Sequence, residues 1–172
     1  MNVEIKNIKI SLGNSDETYC FNADIYADGK KVGYAKNNGR GGNTDYNRYP
    51  KFSYDDIRDI ENYFKSMPCK EYTLNNEIFK MNYSLENFID EAVEKKLAER
   101  DAARLKNRME KDFQKYICYK VENGWNSTGW KNYTITQMLG TPVGMSLIQK
   151  TVDTLKEKGE KILNNNLIGI KL

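Results

Sequence analysis

Residues 28–49 read DGKKVGYAKNNGRGGNTDYNRY, and this stretch decides the fold. It opens with an Asp-Gly step, the dipeptide most typical of a two-residue hairpin turn, because a type I′ turn needs positive φ at both central positions. Folding the chain back at this step pairs Ile25 with Val32 and Ala23 with Tyr34. Both pairs place apolar groups on the same face, so the pattern predicts an antiparallel hairpin in this register.

The chain before the hairpin predicts a further strand. Apolar residues alternate from Val3 to Leu12, but the alternation changes phase around Asn7, which is typical of a strand with a β-bulge. A second alternating run, residues 19–27, leads directly into the turn. Residues 2–37 are therefore expected to form a small antiparallel meander.

Helices are predicted after the meander from their capping residues and apolar stripes. Ser53 is expected to cap a helix over about 54–67, and Ser84 to begin a long charged helix over 84–116. A Thr-Pro step at 141–142 predicts the start of a third helix, over 143–158. Between and after these helices the sequence predicts a short strand at 77–82, a strand at 116–121, a loop at 123–130 and a C-terminal strand or extended arm.

These elements predict an α+β fold in which a small antiparallel sheet packs with helices, one of them long and charged. A length of 172 residues with 39% apolar and 30% charged side chains suits a single globular domain. Within it, residues 1–82 would hold the sheet and first helix, 84–116 the long helix, and 117–172 the remaining elements.

Composition excludes several functional classes. The chain contains no histidine, which removes Ser-His-Asp triads, histidine metal ligands and imidazole acid–base chemistry. Three widely spaced cysteines form no zinc-binding pattern and are expected to be reduced thiols. No signal peptide pattern and no long apolar run occur, so we expect a cytoplasmic protein without a membrane segment.

The glycine-rich half of the opening stretch is the first candidate binding site. Its glycines could direct backbone N–H groups at an anion, its cationic side chains could contact a phosphate, and its tyrosines could stack on a base. The alternative is a flexible exit from the hairpin, because turns are rich in Gly and Asn. The candidate residues are Lys36, Gly39, Arg40, Gly41, Gly42, Tyr46, Arg48 and Tyr49.

Two further surfaces are candidates. A basic row on the long helix winds through about 120° over about 18 Å and could follow a nucleic-acid backbone, although interleaved acids favour a solvated helix face. Two tryptophans in the loop at 123–130 could form a stacking platform or could fill a core. The residues concerned are Lys96, Arg100, Arg104 and Arg108 in the row, and Trp125 and Trp130 in the loop.

Catalysis has little support in the sequence. The acids Asp55, Asp56 and Asp59 have metal-like spacing, but they lie in the predicted first turn of a helix, where the dipole favours negative charge. We therefore expect a protein that is not an enzyme and needs no cofactor or metal.

Three segments carry a resemblance to known proteins. DGKKVGYAKN at 28–37, GRGGxTDY at 39–46 and EKILNNNL at 160–167 resemble small proteins of unknown function encoded by phages and mobile elements of gut bacteria. Accessory genes of this size often encode inhibitors of host defence, including anti-CRISPR proteins and proteins that sequester signalling nucleotides. The resemblance implies a bacterial host cell and a non-catalytic binder.

The leading hypothesis is an inhibitor that binds a nucleic-acid-handling defence protein of the host, such as a Cas nuclease. One alternative is a nucleotide-binding or nucleotide-sequestering protein that uses the glycine-rich segment. A second alternative is a small protein that binds DNA or RNA directly. The sequence leaves the partner and the oligomeric state open.

Overall fold

A computed structural model describes residues 1–74 and 77–172 of the chain. The fold is α+β, as predicted, with an N-terminal four-stranded antiparallel sheet and helices that include one of 31 residues. The chain divides into two compact units, Met1–Arg100 and Asp101–Leu172, which are described separately below. The expectation of a single domain stays a prediction.

The first unit is built on the predicted meander, extended by one strand. The strands are β1 (Val3–Ile10), β2 (Cys20–Ala27), β3 (Lys30–Asn38) and β4 (Asp45–Arg48), and they are adjacent in chain order. The predicted bulge is confirmed: Asn7 has a φ of 54°, and the pairing of β1 with β2 shifts between Lys6 and Lys9. A short 3-10 turn, Leu12–Asn14, lies between β1 and β2.

The hairpin turn forms where it is predicted, but the predicted register is wrong by one residue. Asp28 and Gly29 both have positive φ, and the first pairs follow the expected register. A second bulge then shifts the pairing, so that Ile25 lies opposite Gly33 and Ala23 opposite Ala35. The close approach of β4 explains the glycine, because a Cβ on Gly33 would lie 2.6 Å from the Asn47 carbonyl oxygen.

Two helices cover this unit. Helix α1 (Tyr54–Lys65) begins at Ser53 in a capping box and ends two residues before the predicted boundary. Helix α2 (Leu85–Lys115) begins after Ser84, whose hydroxyl accepts from the Asn87 N–H at 3.1 Å, and continues into the second unit. Buried side chains from the sheet and the helices form the core, among them Phe21, Ala23, Ile25, Ala35, Ile60, Phe64, Leu85, Ile89 and Val93.

A hairpin outside the main sheet joins the two helices. Strand β5 (Lys70–Leu74) pairs antiparallel with β6 (Glu77–Met81). The second of these strands is predicted by the sequence, whereas β5 is not, because it lacks an alternating apolar pattern.

The second unit contains a hairpin and two helices after the end of α2. Strands β7 (Ile117–Val121) and β8 (Gly124–Thr128) pair antiparallel, so the predicted loop at 123–130 is wrong over most of its length. Its glycines and asparagine suggested a loop, but Gly124, with a φ of 127°, serves the tight turn and the rest pairs with β7. Helix α3 (Ile135–Leu139) is not predicted, and α4 (Pro142–Glu157) begins at Thr141 as predicted.

Of the two forms predicted for the C-terminal tail, the regular strand is wrong. In the tail, Ile162 makes an isolated bridge with Tyr119, and no regular strand follows among residues 158–172, all of which the structure describes. Around this bridge the Lys120 N–H donates to the Lys161 carbonyl at 2.8 Å and the Leu163 N–H donates to the Cys118 carbonyl at 2.9 Å. At the next residue the Asn164 side chain takes over, because its Oδ1 accepts from the Cys118 N–H at 2.6 Å and its Nδ2 donates to the Tyr116 carbonyl at 2.9 Å. Within residues 1–74 and 77–172, no helix combines the length and apolar character needed to cross a membrane.

Candidate functional site

The glycine-rich segment is an ordered loop organised by one buried asparagine. We call residues 37–44 the glycine loop. Asn37 Oδ1 accepts from the Gly39 N–H at 2.8 Å and from the Thr18 hydroxyl at 2.8 Å, and its Nδ2 donates to the Gly42 carbonyl at 3.3 Å. Gly39, Gly41 and Gly42 all have φ between 83° and 86°, which other residues adopt at a cost. These hydrogen bonds close the loop on itself.

Several backbone donors of the glycine loop are used within the protein. The N–H of Arg40 donates to Asn38 Oδ1, the N–H of Gly41 donates to the Thr18 hydroxyl, and the N–H of Thr44 donates to Glu86 Oε1. Together with the bond from Gly39, these contacts take up four donors that an anion-binding nest would need. The predicted nest does not form around them.

The arginines and tyrosines predicted at this site do not converge. Arg48 Nη1 donates to the carbonyls of Tyr49, Pro50 and Phe52, at 3.3, 3.0 and 2.7 Å, so the guanidinium fixes the segment before α1. Arg48 also pairs with Gly33, whereas exposed Arg40 follows the opposite end of β3. The two arginines thus lie at different ends of the sheet.

The predicted tyrosines donate to carboxylates of the protein. The Tyr46 hydroxyl donates to Glu61 at 2.9 Å, and burial together with this carboxylate raises the pKa of Tyr46 to about 12. The Tyr49 hydroxyl donates to Asp24 at 2.9 Å, and the ammonium of Lys31 lies 4.6 Å from the Tyr49 ring centroid. Lys36 is exposed on β3. A role of these residues in binding stays a prediction.

A cavity of about 610 Å³ lies beside the glycine loop, and we call it the acidic cavity. Its charged lining residues are all acids, and no lysine or arginine occurs among the described residues that line it. Exposed Asp16 and Glu17 come from the segment between β1 and β2, and the other two acids come from α2. The lining acids are Asp16, Glu17, Asp90 and Glu94.

A hydrogen bond to Asp90 connects the glycine loop to the α2 side of the acidic cavity. The Thr44 hydroxyl donates to Asp90 Oδ1 at 2.6 Å, and the carboxylate is half-buried. Burial raises the pKa of Asp90, and the neighbouring Glu86 and Glu94 raise it further, although the bond from Thr44 opposes the shift. Such a concentration of negative charge attracts cationic groups and repels phosphates.

Sequence reasoning did not find the acidic cavity because its acids are far apart in the chain. One signal was present: Glu86, Asp90 and Glu94 recur every fourth residue, which places them along one side of a helix. The helix dipole alone accounts for acids near a helix N-terminus, so their spacing does not indicate a cavity. Only the structure shows that they lie beside the glycine loop.

The basic row of α2 begins in one unit and ends in the other. Lys96 and Arg104 are exposed, whereas Arg100 is half-buried. The guanidinium of Arg108 lies 5.4 Å from the ring centroid of Trp125, whose Nε1 donates to Asp112 at 3.1 Å.

The two tryptophans have different surroundings. Trp125 lies on β8, where Arg108 and Asp112 hold its ring against the side of α2. Trp130 packs against the core of the second unit and forms a bridge with Tyr133. The structure therefore gives each ring a structural contact of its own, and a shared stacking platform stays a prediction.

The metal-like acid pattern at the start of α1 has a structural use. Asp56 accepts from the Ser53 N–H at 2.9 Å in the capping box, and Asp55 pairs with Arg58 at 2.6 Å. In the described part of the chain, no group of three or more His, Cys, Asp or Glu side chains could hold a metal ion.

Comparisons with protein-family models, curated proteins and solved structures found no match for this chain.

Proposed function

We propose that this chain is a non-catalytic binding protein that blocks a nucleic-acid-handling protein of a bacterial defence system. The observation that carries the proposal is the acidic cavity, because the charged residues among its described lining are all acids. A protein that handles nucleic acid neutralises phosphates with lysine and arginine side chains. A surface that presents carboxylates to those side chains competes with the nucleic acid.

The order of the glycine loop supports this proposal. A preorganised site avoids the entropic cost of ordering a loop when the partner binds. Asn37 and Thr44 fix the loop at both ends, and Thr44 also holds the Asp90 carboxylate in the cavity. A lysine or arginine of the partner would therefore meet carboxylates that are already in position.

The exposed cations near the loop define the rim of this surface. Arg40 is exposed and lines a neighbouring depression together with Asp16 and Asn38. Mixed charge at a rim favours one partner orientation over others, because like charges brought together cost free energy. Arg40 and Lys36 thus remain candidate contacts, at the edge of the surface and not at its centre.

The experiment is an interference assay in bacteria that carry defined defence systems. Each strain holds one nuclease-based system, CRISPR–Cas or restriction, and receives a plasmid that this system attacks. Expression of the wild-type chain should raise the number of transformants in at least one strain. The double variant Glu17→Lys/Glu94→Lys, which reverses two exposed cavity acids, should lose this effect.

A matched control changes the same number of charges elsewhere. Glu122→Lys/Glu157→Lys reverses two exposed acids of the second unit and should leave the protection of the plasmid unchanged. The proposal is refuted if the wild-type chain protects the plasmid in no strain. It is also refuted if the two double variants lose protection equally.

The two alternative functions remain predictions and have separate tests. A DNA- or RNA-binding protein should shift nucleic acid at low salt, lose affinity steeply as salt rises, and weaken on Arg104→Ala. A nucleotide-binding protein should gain about 2.7 kcal/mol of stability when a cyclic nucleotide is present at a hundredfold excess over its dissociation constant. A negative result in either assay removes that alternative.

A further inference from the structure

Strand β1 lies at one edge of the four-stranded sheet, and no strand within residues 1–74 and 77–172 pairs with its outer side. An exposed edge presents a row of backbone donors and acceptors that can pair with another chain. Proteins block such edges with bulges and charges, and the bulge of β1 at Asn7 does so for its second half. The first half, residues 3–6, keeps regular pairing with β2.

The pairing with β2 fixes which backbone groups of β1 point outward. The Asp28 N–H donates to the Asn2 carbonyl at 2.8 Å, so Asn2 is in a hydrogen-bonded pair. Hydrogen-bonded and non-hydrogen-bonded positions alternate along an antiparallel strand. Glu4 and Lys6 therefore bond to β2, while the N–H and C=O groups of Val3 and Ile5 point toward the open edge.

Apolar side chains of β1 near this edge are only partly buried. A groove of about 430 Å³ is lined by residues of β1 and α2, of which five are apolar and five are charged. The apolar ones are Val3, Ile5, Ile8, Phe88 and Ala92, and the charged ones are Glu4, Glu91, Lys95, Lys96 and Glu99. The three β1 residues are half-buried and pack against the core of the first unit. A strand added to this edge would cover them and would continue the sheet over the groove.

The charges of Glu4 and Lys6 make a second copy of β1 a complementary strand for this edge, and they favour one register of pairing. When Ile5 pairs with Ile5 of a second copy in antiparallel orientation, Glu4 of each copy lies opposite Lys6 of the other. In the register displaced by one pair, Val3 would oppose Ile5, and the two Glu4 side chains would face each other. Opposite charges in direct cross-strand pairs stabilise a sheet, whereas like charges destabilise it.

We propose that two copies of the chain associate through β1, with a two-fold axis between the paired Ile5 residues. In this register the N–H of each Ile5 donates to the C=O of the other, and two Glu4–Lys6 pairs flank the axis. The contact is isologous, so it closes at a dimer and doubles the sheet to eight strands. The inference uses no part of the acidic cavity and is independent of the proposed function.

Sedimentation equilibrium over micromolar to millimolar concentrations tests the dimer through the charge pairs. The wild-type chain should show a reversible monomer–dimer equilibrium. Glu4→Lys should weaken dimerisation by about tenfold or more, because both cross-strand pairs become repulsive. The swapped variant Glu4→Lys/Lys6→Glu should restore it, since it recreates the pairs with reversed sign.

The swap also controls for effects within one chain. Glu4 and Lys6 form an ion pair at 3.0 Å in the single chain, and this pair is broken in Glu4→Lys but remade in the double variant. Circular dichroism should show the same secondary structure for all three proteins. A wild-type chain that stays monomeric at millimolar concentration overturns the proposal. So does a Glu4→Lys variant that dimerises as tightly as the wild type, or a swapped variant that stays as weak as the single one.

Discussion

The substitution Asn37→Ala should open the glycine loop while leaving the rest of the sheet paired. Asn37 is 8% exposed, and its side chain makes three hydrogen bonds, two as an acceptor and one as a donor. Alanine removes all three and leaves the Gly39 N–H without the oxygen to which it donates. The strand pairing of Asn37 with Phe21 uses backbone groups, and the substitution does not remove them.

The size of the effect follows from these three bonds. Each intramolecular hydrogen bond contributes about 1 kcal/mol net, so their loss lowers the free energy of local opening by about 3 kcal/mol. Because about 1.4 kcal/mol corresponds to a factor of ten, the population of the open loop should rise by roughly a hundredfold.

Amide hydrogen exchange followed by NMR measures this opening residue by residue. The Gly39 amide should exchange roughly a hundredfold faster in Asn37→Ala than in the wild type, while the amides of β2 change little. Asn38→Ala is the matched control, because exposed Asn38 accepts only from the Arg40 N–H within the same loop. It should accelerate the Arg40 amide and leave the Gly39 amide protected.

A less than threefold change at Gly39 in Asn37→Ala would refute the reasoning, which rests on this side chain as the main restraint on the loop. Equal acceleration of Gly39 by both variants would refute it too, because the loop would then respond to any lost side chain. If the loop opens as predicted, Asn37→Ala should also weaken protection of the plasmid in the interference assay, because the glycine loop no longer holds one side of the acidic cavity in place.

Three further predictions concern the glycines, the cavity carboxylate and the C-terminal tail. Gly39→Ala should destabilise the protein by about 2–4 kcal/mol and Gly42→Ala by about 1 kcal/mol in thermal denaturation followed by circular dichroism. Both have left-handed φ, but only at Gly39 would a Cβ collide with the Asn14 carbonyl oxygen. The folded-state pKa of Asp90 is raised, so its contribution to stability is full below its ordinary pKa of 3.8 and is lost as pH rises through the folded value. The isosteric Asp90→Asn should therefore gain stability over the wild type at neutral pH, and the gain should shrink in acid; a constant difference across pH would contradict this. Asn164→Ala should lower the urea stability of the second unit by about 3 kcal/mol, because the Cys118 N–H and the Tyr116 carbonyl lose the Asn164 side chain and the Phe113 carbonyl keeps only its bond from Asn166. Both tryptophans lie in this unit, so their fluorescence reports its unfolding, and exposed Asn165→Ala is the control that should change little.

Local features of the sequence were sufficient to predict much of the fold. The Asp-Gly turn, the phase change at Asn7 and the caps at Ser53, Ser84 and Thr141 each act through residues within one turn of the element concerned. Such signals do not depend on the rest of the fold. Their positions in the sequence and in the structure agree for this reason.

The errors arose where a distant contact decided the outcome. The bulge opposite Ile25 accompanies the approach of β4 to Gly33, and the backbone pairing of the tail with β7 ends where the side chain of Asn164 bonds to the Cys118 N–H. Neither contact leaves a local pattern. The surroundings of the candidate site depend on distant contacts as well: glycines, charge and tyrosines indicate an anion site, whereas Asn37 and Thr18 accept from N–H groups of the loop, and α2 places acids beside it.

Helix α2 links the two proposals, because different sides of one helix line the two surfaces. Asp90 and Glu94 line the acidic cavity, whereas Phe88, Ala92 and Lys95 line the groove at the edge of β1. A dimer formed through β1 would thus carry two acidic cavities, and the edge contact would leave both of them open to a partner. Two linked sites raise the overall affinity for a partner with two basic surfaces, without any new contact at either site.

This arrangement predicts different failures for the two classes of variant. Glu17→Lys/Glu94→Lys removes binding at each site, so protection of the plasmid should be lost at every expression level. Glu4→Lys leaves each cavity intact and removes only the linkage, so protection should be lost at low expression and recovered at high expression. Equal loss at all expression levels in Glu4→Lys would show that the edge of β1 itself contacts the partner. Binding and self-association would then share one surface.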